Sequence, residues 1–146
     1  MIKEEHFRKL ERMYLSANIN EHIYDSTTVK IGYETAEIGL TISKKYFHAL
    51  GKIHGSVYFK LLDDAAFFAV NSIVEEVIVL TTHFNIQFVR PINRGVVKAF
   101  GKVKFKSKNL FVAASSLRNE QGKEVAFGVG NFMKSNVALS EEIGYQ

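Results

Sequence analysis

The chain has 146 residues, of which 47% are hydrophobic, and it contains no cysteine. This length predicts a single domain, residues 1–146, with its own hydrophobic core, and the lack of cysteine excludes disulfides, thiolate zinc sites and cysteine nucleophiles. The net charge of +4 suits an acidic small ligand or partner, but no dense basic block accompanies it, so we expect no nucleic-acid binding. No apolar run reaches the ~20 residues of a membrane helix, and the N-terminus lacks an apolar signal segment, so we expect a cytoplasmic protein without membrane contact.

The N-terminal segment, residues 1–25, is predicted to be helical. Apolar side chains recur within residues 3–18 at spacings of three and four: Phe7, Leu10, Met13, Tyr14 and Ala17. In residues 26–43 apolar and polar side chains alternate, and the phase slips at Glu34–Thr35. This slip predicts two strands joined by a turn or a bulge.

The central segment, residues 55–74, carries apolar side chains nearly all round a helical wheel, which predicts a helix buried on most sides. A polar stripe of Lys60, Asp63 and Asp64, within about 100° of arc, interrupts it. One interpretation is that this stripe faces water, with Lys60 and Asp64 paired weakly one turn apart.

Four runs with strand-like alternation follow the central helix: residues 78–90, 95–106, 110–118 and 123–134. A tail from Ser135, residues 135–146, is polar and is expected to be frayed. One buried helix followed by long antiparallel strands predicts an α+β fold in which the sheet wraps the helix. The outer face of the sheet carries a row of lysines and is expected to be wet.

The densest cluster of chemically capable residues opens the central helix. It contains, in order along the chain, Gly51, His54, Gly55, Ser56, Asp63 and Ala65. This spacing resembles the motif of hotdog-fold acyl-CoA thioesterases, the phenylacetate-pathway-type (PaaI-like) branch of the thioesterase superfamily. A later strand resembles a second pattern of that family, formed here by Thr81, Asn85, Arg90 and Pro91. The whole resemblance extends over residues 26–134.

The resemblance implies a hotdog fold, in which a curved antiparallel sheet wraps a long central helix, here with a short N-terminal helix added. It implies at least a homodimer, or a dimer of dimers, with sites at the dimer interface that hydrolyse acyl thioesters without a metal or cofactor; CoA is part of the substrate. Carried over, Asp63 would be the nucleophile or the general base toward water, and the Gly55 N–H would form the oxyanion hole. His54 would order the site, and Thr81 would be a secondary polar contact.

The chemistry of these residues agrees with that assignment. A glycine-rich turn that opens a helix presents free N–H groups and the positive end of the helix dipole, which stabilise an oxyanion. His54 and Asp63 are nine residues apart, or about 13 Å along one helix. If both serve one site, they come most simply from two subunits, so the spacing predicts a symmetric dimer with two shared sites.

Two positions depart from the family pattern. Ser56 stands where the family has a second glycine, and its side chain could narrow the passage for the acyl group. His48, six residues before His54, stands where the family often has Asn or Gln near the thioester carbonyl. Thr81 raises a further question, because simple alternation puts it on the same face as His83, and reaching the helix side requires a bulge.

Basic residues offer candidates for the CoA phosphates or for an acidic acyl-carrier protein. The lysine row ends in a turn at Lys108, and Arg90 flanks Pro91. A solvated strand face explains the lysine row equally well. His6 and His22 are expected at the surface.

Three functions remain open from the sequence. The first is an acyl-CoA thioesterase. The second is a non-catalytic acyl-CoA-binding module, which the departures at Ser56 and His48 favour. The third is a hotdog dehydratase or isomerase acting on acyl thioesters. A regulator with an added DNA-binding helix-turn-helix is disfavoured, because the segment before the first strand has room for one helix.

Overall fold

A computed structural model describes residues 1–146, and its centre is the helix α2, Gly55–Asn71. Leu61, Leu62, Ala65 and Ala66 on this helix are fully buried. A helix that is apolar on most of its circumference needs protein on several sides, and the sheet together with the N-terminal helix provides it. The predicted buried helix is therefore confirmed.

Six strands form one antiparallel sheet around α2. They are β1 (Thr28–Gly32), β2 (Thr35–Thr41), β3 (Val77–Phe88), β4 (Val96–Lys106), β5 (Leu110–Arg118) and β6 (Glu124–Ala138). Their order across the sheet is β1-β2-β4-β5-β6-β3, and every neighbouring pair is antiparallel. The strands β1 and β3 are the two edges.

Helix α2 packs closely against the middle of the sheet. Gly101 on β4 has no side chain, and an added Cβ would lie 2.1 Å from the carbonyl oxygen of Ala65. Small and branched side chains on the same face of the sheet complete the contact: Val97, Ala99, Val103, Ala113 and Leu117. Glycine at this position sets the distance between helix and sheet.

The N-terminal helix α1, Glu4–Ser16, packs its apolar side on this core and continues into a π-helical turn at Ile19–Ile23. The turn between β1 and β2 is at Tyr33–Glu34, where Glu34 has a φ of 59°. Both the N-terminal helix and the two strands with a turn are confirmed. None of the helices is long and apolar enough to span a membrane.

The C-terminal segment differs from the sequence expectation. Strand β6 continues to Ala138, which pairs with Val77, so the predicted start of the tail at Ser135 is wrong. Ile143 and Tyr145 pack against the core. His6 is buried rather than at the surface, because its ring bonds the Tyr145 hydroxyl and the Asn71 carbonyl oxygen at 2.8 and 2.9 Å.

The outer face of the sheet also differs from expectation. Lysines do stand on it, but large apolar side chains are exposed there as well, including Phe100, Phe127 and Val129. A register shift between Val103 and Phe105 disturbs the alternation on β4, and Phe105 is exposed. The face is therefore mixed, with apolar side chains between the lysines.

Candidate active site

Asp63 lies at the middle of α2 and is partly buried. The Thr81 hydroxyl donates a hydrogen bond of 2.8 Å to its Oδ1, and its Oδ2 accepts none from the protein. Burial raises the pKa of Asp63 to about 6; the Thr81 bond acts in the opposite direction, Asp64 raises the pKa further and Lys60 lowers it. A carboxylate with this pKa is ionised at neutral pH and more basic than an exposed one, as a general base requires.

Thr81 reaches Asp63 because β3 contains the bulge that the sequence argument requires. Thr81 pairs with Phe132 and His83 with Asn131, so two steps along β3 match one step along β6. The extra residue, Thr82, moves Thr81 onto the inner face beside the fully buried Phe132. Strict alternation would have kept Thr81 on the outer face with His83.

A cavity of about 430 Å³ adjoins Asp63. Helix α1, the π-helical turn, α2 and the C-terminal segment form its walls. Most of its lining is apolar: Met13, Ala17, Ile19, Phe67, Phe68, Ile78, Val137 and Ile143. The volume is within the range of small-molecule pockets.

Helix α1 and the C-terminal segment form part of the cavity wall, which the sequence did not predict. Their periodicity indicates that Met13 and Tyr14 face a core, but nothing local shows that this core has a gap beside Asp63. Besides Asp63, the polar side chains at the cavity wall are Tyr14, Asn20, Lys60 and Asp64.

The N-terminus of α2 carries the second group of predicted site residues. His54 is the N-cap, and its Nδ1 accepts a hydrogen bond of 3.0 Å from the Ser56 N–H and lies 2.8 Å from the Ser56 hydroxyl. The Gly55 N–H donates to no acceptor in the chain. The His54 ring thus orders the first turn and leaves the Gly55 N–H at the positive end of the helix dipole.

A groove of about 430 Å³ lies in front of this N–H. Gly55, His48 and Arg90 line it together with Tyr58 and Phe88. The His48 Nδ1 accepts from the Leu50 N–H at 3.1 Å, and the Arg90 guanidinium donates to the Glu124 carbonyl. The structure therefore brings His48, Gly55 and Arg90 to one place.

Lys108 lies elsewhere. Its turn joins β4 to β5. Lys106, at the end of β4, connects through successive strand pairs on β5 and β6 to Thr81 on β3, so the turn lies at the Thr81 side of the sheet. Arg90 follows the opposite end of β3, nine residues beyond Thr81. This is roughly 25–30 Å in an extended strand, so within one chain Arg90 and Lys108 cannot bind the same phosphate group.

Within one chain the Asp63 carboxylate and the Gly55 N–H are also separated. Asp63 is eight residues after Gly55 on α2, which is about 12 Å along the helix axis. Of the predicted site residues, Thr81 lies beside Asp63, and His48, His54, Ser56 and Arg90 lie near Gly55. No group of three or more His, Asp or Glu side chains is arranged to hold a metal ion.

The curved antiparallel sheet and the helix that it encloses define an α+β protein of the hotdog class. The sequence model of the thioesterase superfamily matches residues 50–126, over half of the chain. The chain belongs to the thioesterase superfamily, which places it among thioester hydrolases. No curated protein matches it in sequence.

Solved structures share the fold at low sequence identity. The PaaI protein of the E. coli phenylacetic acid degradation operon is 20% identical, with a TM-score of 0.85 over 96% of this chain and 100% of that one. A Haemophilus influenzae thioesterase is 16% identical, with a TM-score of 0.79 over 93% of this chain and 94% of that one. A phenylacetic acid degradation-related protein from Ralstonia eutropha is 17% identical, with a TM-score of 0.76 over 88% of this chain and 98% of that one. The predicted hotdog fold and the resemblance to PaaI-like thioesterases are confirmed.

Proposed function

We propose that this protein is a cytoplasmic acyl-CoA thioesterase whose two half-sites meet across a homodimer interface. The observation that carries the proposal is that helix α2 presents two polar atoms without a hydrogen-bond partner in the chain, one acceptor and one donor. Asp63 has a free carboxylate oxygen beside an apolar cavity, and the Gly55 N–H has no acceptor. The first can activate water, and the second can stabilise the oxyanion that forms when water attacks a thioester.

In the proposed reaction, Asp63 accepts a proton from water while the water oxygen bonds the thioester carbonyl carbon. The carbonyl oxygen becomes an oxyanion and accepts a hydrogen bond from the Gly55 N–H. The C–S bond then breaks, the carbonyl re-forms as the free acid, and the CoA sulfur takes the proton from the Asp63 carboxyl group. The alternative role, direct attack of Asp63 on the carbonyl carbon, needs the same placement and gives a mixed anhydride that water cleaves.

The dimer supplies what one chain lacks. Asp63 of one subunit and Gly55 of the other would face one thioester, since the two are about 12 Å apart on a single helix. Strand β3 is an edge of the sheet and exposes Leu80 and Phe88, and Phe59 is exposed on the neighbouring part of α2. A long edge strand favours pairing with a second copy, because the backbone groups along its free side otherwise lack partners.

We assign the acyl group to the cavity beside Asp63 and the CoA moiety to the groove in front of Gly55. The lining of the cavity is mainly apolar and suits a hydrocarbon or aromatic acyl group. His48 lines this groove and Ser56 lies beside it in the first turn of α2, and we assign both to the surroundings of the thioester carbonyl. Arg90 also lines the groove, and we assign it to a phosphate or to an acidic carrier protein. Lys108 could serve such a phosphate only from the other subunit.

The test is a hydrolysis assay with a panel of short, long and aromatic acyl-CoAs, in which release of the CoA thiol is measured. The wild-type protein should act on part of the panel, and its kcat should rise with pH to a plateau with a midpoint near 6, the pKa of Asp63. Asp63→Asn should lower kcat by at least about a hundredfold, because it removes the base and preserves the shape. Glu76→Gln is the matched control: Glu76 is a carboxylate paired with Lys134 at 2.8 Å, and it is not among the groups that shift the pKa of Asp63.

Two outcomes would contradict the proposal. Tight acyl-CoA binding without thiol release would identify a binding module. Dehydration of 3-hydroxyacyl-CoA without hydrolysis would identify a dehydratase, the other class that the sequence left open.

A further inference from the structure

A closed network of polar side chains lies next to Asp63, and the proposed mechanism does not use it. The Lys60 Nζ donates to Asp64 Oδ2 at 2.8 Å, to Asn20 Oδ1 at 2.7 Å and to the Tyr14 hydroxyl oxygen at 3.2 Å. The Tyr14 hydroxyl in turn donates to Asp64 Oδ2 at 2.6 Å. The side chains of Lys60 and Asp64 are only 12% and 20% exposed. This is far from the weak, solvated ion pair expected of a helix surface.

The network uses all three donors of the ammonium group. An ammonium has three N–H groups, and Asp64, Asn20 and Tyr14 each accept one. The Asn20 amide nitrogen donates to the Tyr14 carbonyl oxygen at 2.8 Å, which turns the amide oxygen toward Lys60. Lys60 therefore has no donor left for another carboxylate.

Lys60 lies on α2 within one turn of two carboxylates. Asp63 is three residues after Lys60 and Asp64 is four residues after it, so both carboxylates are within reach of the same cation. Only Asp64 is bonded to it. The one anion of the pair that stays without a cation is the carboxylate beside the cavity.

We propose that Asp64 is a positioning residue: together with Tyr14 and Asn20 it holds the Lys60 ammonium away from Asp63, so that Asp63 remains an unpaired base. This inference rests on the proposed role of Asp63, and it adds residues to which the sequence analysis gave no role in the reaction. The N-terminal helix and the π-helical turn thereby act on the reaction through Tyr14 and Asn20.

The other groups that face Asp63 do not supply a competing charge. Tyr14 on α1 stays neutral, because burial and Asp64 hold its pKa far above the usual value. The Tyr24 ring lies under the Lys60 ammonium at 4.6 Å from its centroid, and burial raises its pKa as well. Thr81 on β3 is an uncharged donor. Lys60 and Asp64 are thus the only charges that face Asp63.

The experiment measures the ionisation of Asp63 in two ways: the pH dependence of kcat for acyl-CoA hydrolysis, and a carbon-13 NMR titration of its carboxyl group without substrate. Asp64→Asn leaves Lys60 without its anion, and the nearest remaining carboxylate is Asp63. We expect the midpoint of both curves to move to lower pH by at least half a unit. We also expect the plateau kcat to fall at least threefold, since a weaker base transfers the proton less readily.

Two further variants separate positioning from a structural role. Lys60→Met removes the cation and leaves Asp64, so the midpoint should move to higher pH, opposite to the shift in Asp64→Asn. This variant tests whether the network sets the ionisation of Asp63 even if Asp64→Asn does not fold. In the Lys60→Met background, Asp64→Asn should lower the midpoint clearly less than it does in the wild-type background, because no ammonium is left to turn to Asp63 and only the direct effect of the lost Asp64 charge remains. Glu76→Gln should move neither curve, because neither Glu76 nor its partner Lys134 is among the groups that shift the pKa of Asp63.

A midpoint that stays at the wild-type value in Asp64→Asn and in Lys60→Met, with only thermal stability reduced, would overturn the inference. A shift of the same sign in both variants would overturn it too. A wild-type protein without hydrolysis would instead refute the proposed function, and the substrate-free titration would still decide whether Asp64 controls Asp63.

Discussion

At the scale of single residues, the proposed base works against the stability of the fold. Burial raises the pKa of Asp63 from 3.8 to about 6. Between these values the folded protein holds the proton more tightly than the unfolded chain does. The contribution of Asp63 to the free energy of unfolding therefore falls as the pH rises from about 4 to about 6, and it stays low at neutral pH.

Asp63→Asn should accordingly stabilise the protein at neutral pH while it removes activity. A neutral amide in the same place avoids the cost of burying a charge, and Thr81 can still donate to its oxygen. We expect an increase in the free energy of unfolding of roughly 1–3 kcal/mol at pH 7.5 and almost none at pH 4, where the aspartate itself is largely protonated. Urea unfolding of both proteins at the two pH values checks this, and an equal gain at both would contradict it.

Gly55 offers a test of the oxyanion donor at the same scale. It is the first residue of α2, where proline is tolerated, and His54 before it has the extended backbone that a following proline requires, with φ −65° and ψ 147°. Gly55→Pro should keep the helix, remove the N–H and lower kcat by about a hundredfold or more.

Gly55→Ala is the matched control for that variant. Both substitutions add a Cβ about 3.4 Å from the Phe88 ring, but only alanine retains the N–H. If the two variants lose activity equally, with unchanged circular dichroism, the steric change and not the hydrogen bond explains the loss.

At the scale of secondary-structure elements, the contact between α2 and β4 positions the site. Gly101 lets the strand approach the helix backbone two to three residues beyond Asp63, at Ala65 and Ala66. A wider separation would move Asp63 relative to Thr81 on β3. Packed interiors do not yield smoothly to added volume, so a single methyl group at this contact shifts whole elements.

Gly101→Ala should therefore destabilise the protein by about 3 kcal/mol, because the added Cβ meets backbone atoms that cannot rotate away. The exposed neighbour Lys102 points to the other face of β4, and Lys102→Ala should change stability by less than about 0.5 kcal/mol. Thermal and urea unfolding compare the two. Equal stability of Gly101→Ala and wild type would show that the helix–sheet distance is not set here.

At the scale of the whole molecule, the proposed function makes activity a property of the dimer rather than of the single chain. Asp63 with Thr81, and Gly55 with His54, belong to different parts of α2. If each site takes one half from each subunit, two inactive variants with damage in different halves can complement each other.

Mixing Gly55→Pro with Asp63→Asn after unfolding and joint refolding should restore about one quarter of wild-type activity. Half of the dimers would be mixed, and each of these would contain one intact site of two. Sedimentation measurements on the same samples check that dimers form. No recovery, with mixed dimers present, would show that each chain builds its site alone.

Local sequence patterns predict most of the secondary structure of this protein. The apolar wheel of residues 55–74 predicts α2 because burial on most sides is encoded in that one segment, and the alternating runs predict the strands for the same reason. The spacing from His54 to Asp63 identifies the thioesterase superfamily. For Thr81 the sequence favours the face of His83 and gives a bulge only as the condition for contact with the helix; the register shift in β3 meets that condition.

What only the tertiary structure decided involves residues far apart in the chain. Tyr14 lies 50 residues from Asp64, and His6 lies 139 residues from Tyr145, yet both pairs share hydrogen bonds. The periodicity of a helix indicates which side is buried but not which element covers it or which polar group will be met there. For this reason the sequence by itself determined the fold, the superfamily and the candidate residues Asp63 and Gly55. The cavity beside Asp63, the order of the C-terminal segment and the network that holds Lys60 depended on how α1 and β6 close over α2.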